Sequence, residues 1–396
     1  MRLAASLPRR AVDADGWRHR LYDGCRRRRC RCRTFPPSPV TDTLSVYSAE
    51  HLHELGVRLF VACGAPAAEA ELVAGHLVEA SLMGIDSHGV VRFIWYVEQC
   101  LEGRIHPGAP VEIMRDKGHV ALVDCGMNFG QIGAGKIVDL VRERAQKGGI
   151  AFATSRHCHH VGRLGAYPQA LAEAGLFGFA VANSQRHGHF VVPWGGREGR
   201  LATNPLAWAA PTEGEPMLLD MSTSMTPEGK IRTALHAGQS MPEGRILDAE
   251  GHPTTDPNAF YGADGGPPEG AILPFGGDLG YRGFGLGLLV EVLGASIAGV
   301  ELGEAEPIPY INGFSLLAID PGAVTGDSAR FAALTEELKA YITGTPPAPG
   351  SNEVILPGAR EFRTLRQRQR DGIPLPAETC RLIAEVAARV QVRADL

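Results

Sequence analysis

Apolar residues recur at helical spacing at both ends of the chain and at strand spacing in its middle. Ser48 is placed to cap a helix over Ala49–Ala62, with Leu52, Leu55, Leu59 and Phe60 on one face and a stop at Gly64. A second helix fits Ala67–Met83 and ends at Gly84; a third helical stretch runs to about Leu101. After Pro107–Pro110 the texture changes. Short β-like runs at Val120–Asp124, Ile150–Thr154, Phe177–Asn183, Leu201–Ala210 and Met217–Asp220 alternate with helices near Gly133–Lys147 and Ala166–Ala174. From Gly283 the chain reads as helical again, Phe314–Asp320 as a strand, and two further helices close it. No internal repeat is present. The pattern predicts an α/β or α+β protein in which helical ends bracket a central sheet.

Length and composition sharpen this picture. At 396 residues the chain calls for two or three domains. With 44% hydrophobic and 21% charged residues it has a globular composition, and 49 Gly and 28 Pro point to many backbone-defined loops. The net charge of −5 hides an asymmetry: residues 1–40 hold eleven Arg against three Asp, so the remainder is strongly acidic. An acidic body is a poor partner for nucleic acid. Residues 1–42 are expected to be a disordered, Arg-rich extension. They lack the uninterrupted apolar core of a secretory signal. Of the eight cysteines, Cys25, Cys30 and Cys32 lie in that head, and Cys63, Cys100, Cys125, Cys158 and Cys380 are scattered singly; no CxxC occurs. That excludes a disulfide scaffold and favours the cytoplasm. The longest apolar run, Gly283–Gly299, is short for a membrane span and contains Glu291, so a buried helix is expected there.

Two motifs tempt and fail. Gly130-Gln131-Ile132-Gly133-Ala134-Gly135-Lys136 matches a phosphate-binding loop until Ile137, where Ser or Thr should meet magnesium. It reads better as a glycine-rich turn opening the next helix. A dinucleotide fingerprint fails too: the last required glycine is Val138, Leu288 or Val290. His157-Cys158-His159-His160 is dense in metal ligands, but neighbours in extended chain face opposite ways, so at most two converge. No metal site is expected, and a single catalytic histidine is the better reading.

Asp86-Ser87-His88-Gly89-Val90-Val91-Arg92 is more informative. Ser87 or Asp86 can cap the following helix, which puts His88 in its first turn, where the helix dipole lowers an imidazole pKa. Arg92 follows four residues on, on the same face. A histidine for proton transfer and a guanidinium for a carboxylate then look into one pocket. A capped helix with two solvated side chains fits the spacing equally well.

These residues bring a resemblance. The segment is similar to the "SHG-x-x-R" stretch of the malate/L-lactate dehydrogenase family that lacks a Rossmann fold. That family also includes ureidoglycolate, sulfolactate and hydroxycarboxylate dehydrogenases, diketogulonate reductases and cyclic-imine reductases. Other landmarks follow in the family's order: His159-His160-Val161-Gly162-Arg163-Leu164-Gly165, Ala202-Thr203-Asn204-Pro205, Asp220-Met221-Ser222-Thr223-Ser224 with Gly229-Lys230, Gly251–Pro257, Gly276–Leu286 and Leu356-Pro357-Gly358. The similarity covers about Ser45 to Ala387.

The resemblance implies a non-Rossmann α/β fold with a central mixed or antiparallel sheet. Residues 116–285 would bind NAD or NADP, and 43–115 with 286–396 would form a helical substrate and dimerisation domain. It implies hydride transfer between a nicotinamide cofactor and a small 2-hydroxy or 2-oxo acid, by a cytoplasmic homodimer without membrane or nucleic-acid partners. His88 would exchange the proton, with Ser87 and Asp220 completing a relay, and Arg92 would take the substrate carboxylate. His160 is the other candidate base, and Thr203 lies on the substrate side. Ser184, Asp220, Met221, Ser222, Lys230, Arg282 and Gly283 would hold the cofactor. Three departures stand out: Arg282 replaces the family's lysine, Ala202 opens the "TNP" turn, and Ser184–His189 is long. Arg186 in that run is a candidate for a 2′-phosphate, against an exposed loop. Alternatives are a piperideine- or pyrroline-2-carboxylate (cyclic-imine) reductase, a ureidoglycolate dehydrogenase, and, more distantly, a nucleotide hydrolase using Gly130–Lys136 or a catalytically silent homologue.

Overall fold

The computed structural model describes residues 44–184, 188–236, 238–261, 268–300 and 311–396. The expectations for residues 1–42 and for Arg186 lie outside the described residues. Seven strands form the main sheet: β2 (Glu112–Asp116), β3 (Val120–Asp124), β4 (Ile150–Arg156), β5 (Phe177–Ala182), β6 (Leu206–Ala210), β7 (Met217–Met221) and β11 (Phe314–Ile319), in the order β2-β3-β4-β11-β5-β6-β7. Only β3 and β4 pair in parallel, and they are joined through the long helix Gly130–Gly148, as a parallel pair requires a crossover. The sheet is therefore mixed, and mostly antiparallel.

β11 arrives from late in the chain and lies between β4 and β5, with Leu316 opposite both Ala153 and Ala180. Ala121, Val123, Ala151, Ala153, Ala180 and Leu316 are buried with Ile137 and Val141 of the long helix and Leu171 of helix Ala166–Glu173. Alanine-rich strand faces let these helices pack close to the sheet. On another surface, Val181 and Leu206 are buried with Val290 of helix Gly280–Glu291.

The two ends of the chain share one core. Leu52, Leu55 and Leu59 of helix Ala49–Ala62 pack with Leu77, Phe93 and Tyr96, and with Ile373, Ile383 and Val386 from the C-terminal segment. A two-stranded antiparallel ladder joins the ends: β1 (Leu44–Tyr47) runs against β12 (Ile373–Pro376). Ser48 caps its helix as its position predicts, accepting from the His51 N–H at 3.1 Å. A smaller sheet, β8 (Ile246–Leu247) between β9 (Pro253–Thr254) and β10 (Ala271–Ile272), covers a third core around Phe260 and Tyr261. No helix among the described residues is long and apolar enough to cross a membrane.

Several elements differ from expectation. Leu201–Ala210 is not one strand: Asn204 takes a positive φ of 42°, and the strand starts only at Leu206. After β11 come four helices rather than two. The apolar run from Gly283 is not a buried helix. It continues helix Gly280–Glu291 into a π-turn at Val292–Ser296, with Gly283, Gly287, Val290, Gly294 and Ala295 inward. Its large residues face out: Leu288 is 43% exposed, Val292 50% and Ile297 51%. Small inward residues explain the arrangement, because a Cβ on Gly294 would strike the Gly313 carbonyl at the entry to β11.

Candidate active site

His88 ends a single 3₁₀ turn, Asp86–His88, and the next helix begins only at Arg92. Neither Asp86 nor Ser87 caps that helix. Asp86 is instead held by Arg368 of helix Ala359–Asp371, at 2.5 and 3.1 Å, and Ser87 Oγ lies 2.9 Å from His88 Nδ1. The His88 pKa is lowered, as position suggested, but for a different reason. Burial brings it to about 3, and the Arg92 charge adds to this.

Arg92 is anchored by donating from Nε to the Ser87 carbonyl at 2.7 Å, and its guanidinium lies 5.5 Å from the Trp95 ring centre. Burial weakens its hold on the proton, while Tyr96 and Glu228 strengthen it. One turn on, the Tyr96 hydroxyl lies 2.8 Å from His160 Nδ1. His160, on the loop after β4, stacks on His88 with ring centres 5.4 Å apart and planes 20° apart. Trp95 meets the same ring edge-on. Sequence reasoning thus placed His88, Arg92 and His160 as candidates, and the structure brings them together.

All the nearby histidines are held neutral. Burial is the leading cause for His76, His88, His159 and His160, with Arg92 or Arg163 reinforcing it at three of them and Arg104 at His159. One guanidinium among neutral imidazoles is a site for a small anion. The rest of the His157–His160 cluster diverges. His157 pairs with Asp124 at 2.8 Å, Cys158 is buried, and His159 is fully buried with no hydrogen-bond partner for either ring nitrogen among the described residues. No group of three or more His, Cys, Asp or Glu suited to a metal occurs among the described residues.

The phosphate-loop mimic is part of this site's foundation. Helix Gly130–Gly148 starts at Gly130 itself, so the run is helix rather than a turn before it. A Cβ on Gly130 would overlap the carbonyls of His159 and His160, and one on Gly133 would overlap Cys125. Gln131, fully buried, donates from Nε2 to the Tyr96 hydroxyl at 2.7 Å. Tyr96 and Gln131 were missed from sequence. Tyr96 lies four residues after Arg92, a spacing that shares a helix face; Gln131 was hidden inside a motif read for its glycines.

The relay through Asp220 is not closed here. Asp220, at the end of β7, accepts from the Gly165 N–H at 2.7 Å, while Ser87 is bonded to His88. Crowding by surrounding atoms and Glu361 raise the Asp220 pKa against the pull of Gly165 and Arg163, although the residue keeps an exposed edge. It lines a cavity of about 300 Å³ with Ile85, Arg163, Leu356 and Glu361.

Thr203 belongs to a second laced region. Its carbonyl accepts from the Thr223 N–H at 3.0 Å, the Thr223 carbonyl accepts from the Phe275 N–H at 2.8 Å, and Gly283 packs so closely on Phe275 that no Cβ would fit. The positive φ of this turn falls on Asn204, so Ala202 carries no strain. Ser222 Oγ donates to the Ser224 carbonyl, next to Met221 at the end of β7. Lys230 is exposed near the start of helix Glu228–His236. Arg282 lies 5.7 Å from the Tyr281 ring centre, and the Ser184 carbonyl accepts from His189 at 3.0 Å.

The model of one protein family, malate/L-lactate dehydrogenase, matches residues 47–384. The chain belongs to the malate/L-lactate dehydrogenase family. It is accordingly an oxidoreductase of hydroxy acids. It is 32% identical to a malate dehydrogenase of Pyrococcus abyssi over 87% of this chain and 94% of that one. It is 31% identical to hydroxycarboxylate dehydrogenase B of Escherichia coli O157:H7, again over 87% of this chain and 94% of that one. Among solved structures, the sulfolactate dehydrogenase of Methanocaldococcus jannaschii superposes with a TM-score of 0.80 at 29% identity, over 89% of this chain and 99% of that one. The non-Rossmann fold of this dehydrogenase family is thereby that of the present chain.

Proposed function

We propose that this dehydrogenase moves hydride between NAD or NADP and a small 2-hydroxy or 2-oxo acid, with His88 exchanging the proton and Arg92 holding the carboxylate. The observation that carries this reading is the stack of His88 on His160 with Arg92 anchored beside it. Arg92 offers a planar fork suited to a carboxylate. The imidazolium form of His88 is disfavoured without substrate, because burial and Arg92 both oppose it. A carboxylate on Arg92 offsets that charge and brings His88 toward its working range.

The donor set fits a dinucleotide. The Lys230 side chain is exposed near the start of helix Glu228–His236, with no ion-pair partner among the described residues. In this reading Lys230 faces the pyrophosphate; Ser184, Asp220, Met221, Ser222, Arg282 and the backbone at Gly283 line the same site, with Thr203 on the substrate side. The bound nicotinamide supplies or takes the hydride; the chain binds, orients and moves the proton. We assign cofactor binding chiefly to residues 116–285 and the helical substrate and dimerisation part to 43–115 and 286–396. A homodimer accords with the outward Leu288, Val292 and Ile297, which a second copy would cover, and a cytoplasmic setting accords with the free cysteines among the described residues.

Loss of reduced-nicotinamide absorbance with a panel of 2-oxoacids and cyclic imines, run with NADH and with NADPH, tests the reading. Turnover of 2-oxoacids supports it. Cofactor binding without turnover of any of them refutes it.

A further inference from the structure

Gln131, Tyr96 and His160 form a hydrogen-bonded chain whose direction is fixed at one end. The Gly162 backbone N–H donates to His160 Nδ1 at 3.3 Å. A backbone amide can only donate, so Nδ1 must present its lone pair. The Tyr96 hydroxyl, 2.8 Å from the same nitrogen, must therefore also donate its proton there, or to the His160 carbonyl at 3.2 Å. Either way its oxygen is left to accept, and the Gln131 amide at 2.7 Å supplies the proton it accepts. Tyr96 and Gln131 are fully buried, so water does not substitute for either. Gly162 reaches this position with φ +73°, and any Cβ there would strike the His76 ring and the Gln131 amide. The ring is further boxed by His88, Trp95 and Tyr96.

His88 stands in contrast. Among the described residues its Nδ1 meets only the Ser87 hydroxyl, which can donate or accept by rotating. His88 can lose and regain a proton at Nε2 without orphaning its partner. His160 cannot: a proton on Nδ1 would face the Gly162 N–H.

We infer that Tyr96 and Gln131 are positioning residues that hold His160 as its Nε2–H tautomer, so that it donates a hydrogen bond to the substrate's reacting oxygen while the proton is exchanged at His88. The division of labour rests on the functional reading above; the tautomer does not. In the reductive direction, hydride adds to the carbonyl carbon, the C=O electron pair moves to oxygen, and the His88 imidazolium gives that oxygen its Nε2 proton. His160 gives up none. The charged and titratable groups facing His160 are Arg92, His88, His159, His76 and Tyr96.

Two measurements test this. Ring-nitrogen NMR of histidine-labelled resting protein, assigned with His160→Gln, should show His160 protonated at Nε2 and not at Nδ1. Tyr96→Phe, which leaves the Gly162 N–H alone on Nδ1 at 3.3 Å, should keep the Nε2–H ring dominant and add a minor Nδ1–H population. An Nδ1–H ring in the wild-type protein overturns the inference. Kinetically, Tyr96→Phe and Gln131→Leu should each lower kcat about tenfold with little change in the KM of the acid. In a His160→Gln background, where the amide still donates, the same two changes should have almost no further effect. Fully additive losses would overturn the inference, as would a His160→Gln enzyme as inactive as His88→Gln. Absence of oxoacid turnover with the Nε2–H tautomer intact would count against the functional reading alone.

Discussion

Gly130 lies against His159 so closely that a Cβ would overlap the histidine's carbonyl oxygen. The helix that begins at Gly130 and the loop that carries His160 are thus fitted backbone to backbone, with no room for a side chain between them. The atom in the way is a carbonyl, which cannot swing aside as a flexible side chain would.

Gly130→Ala should therefore cost roughly 1–3 kcal/mol, as overpacking does. That corresponds to a fall of several degrees in Tm for a chain of this size. The residual folded enzyme should lose kcat as well, because the displaced loop carries His160. Thermal unfolding and kcat together check this. Gly135→Ala, where a Cβ makes an ordinary contact with the tip of Leu72, should leave kcat unchanged and raise Tm slightly, as alanine does inside a helix.

Much of this architecture could be read in the sequence, and the failures have physical causes. The helix at Ala49–Ala62 was legible because a cap, a one-sided apolar face and a stop glycine agree. β1, β2 and β12 were not: they are short, β2 exposes every residue, and β1 buries none of its four. The Gly283 run misled because its length of apolar sequence suggests burial, whereas Gly283, Gly287 and Gly294 face inward and Leu286, Leu288 and Leu289 face outward. In the site, charge and spacing singled out Ser87, His88 and Arg92. Gln131 and Tyr96 act through a contact between distant segments, which no local pattern contains.

Arg92→Lys keeps the charge and loses the planar fork that also grips the Ser87 carbonyl. We expect kcat/KM for the acid to fall about a hundredfold, or ~2.7 kcal/mol, mostly through KM. Steady-state kinetics over a range of acid concentrations checks it; an unchanged KM would place the carboxylate elsewhere.

The buried histidines predict an acid limit to stability. His76, His88 and His159 each fall from an ordinary value near 6.5 to about 3 in the folded protein. The unfolded chain therefore binds protons that the native site refuses. The stability these groups contribute is fully present above about pH 6.5 and is lost as pH falls from there toward about 3. His159 makes this separable from catalysis, since neither ring nitrogen has a partner among the described residues. His159→Phe should leave stability at pH 7 little changed and flatten its decline between about pH 6.5 and 4.5. Denaturant titrations across that range decide; an unchanged slope would mean His159 takes its proton in the native state.

Lys230→Ala removes an exposed point charge from the proposed pyrophosphate site. The Kd for the dinucleotide should rise about fivefold, ~1 kcal/mol, with the KM of the acid unaffected. Fluorescence titration with cofactor alone reads the first effect, and kinetics at saturating cofactor the second. A changed acid KM with unchanged cofactor Kd would move Lys230 to the substrate side.

Reduction of a carboxylate-bearing 2-oxoacid with its proton supplied by His88 has a simple kinetic test. Oxidation of NADH or NADPH is followed with a panel of 2-oxoacids, for the wild-type enzyme and for His88→Gln at matched cofactor saturation. Turnover of at least one 2-oxoacid by the wild type, reduced about a thousandfold or more in His88→Gln while cofactor binding is kept, is the predicted result. A wild type that binds cofactor and reduces none of them, or a His88→Gln enzyme that keeps its rate, would contradict it.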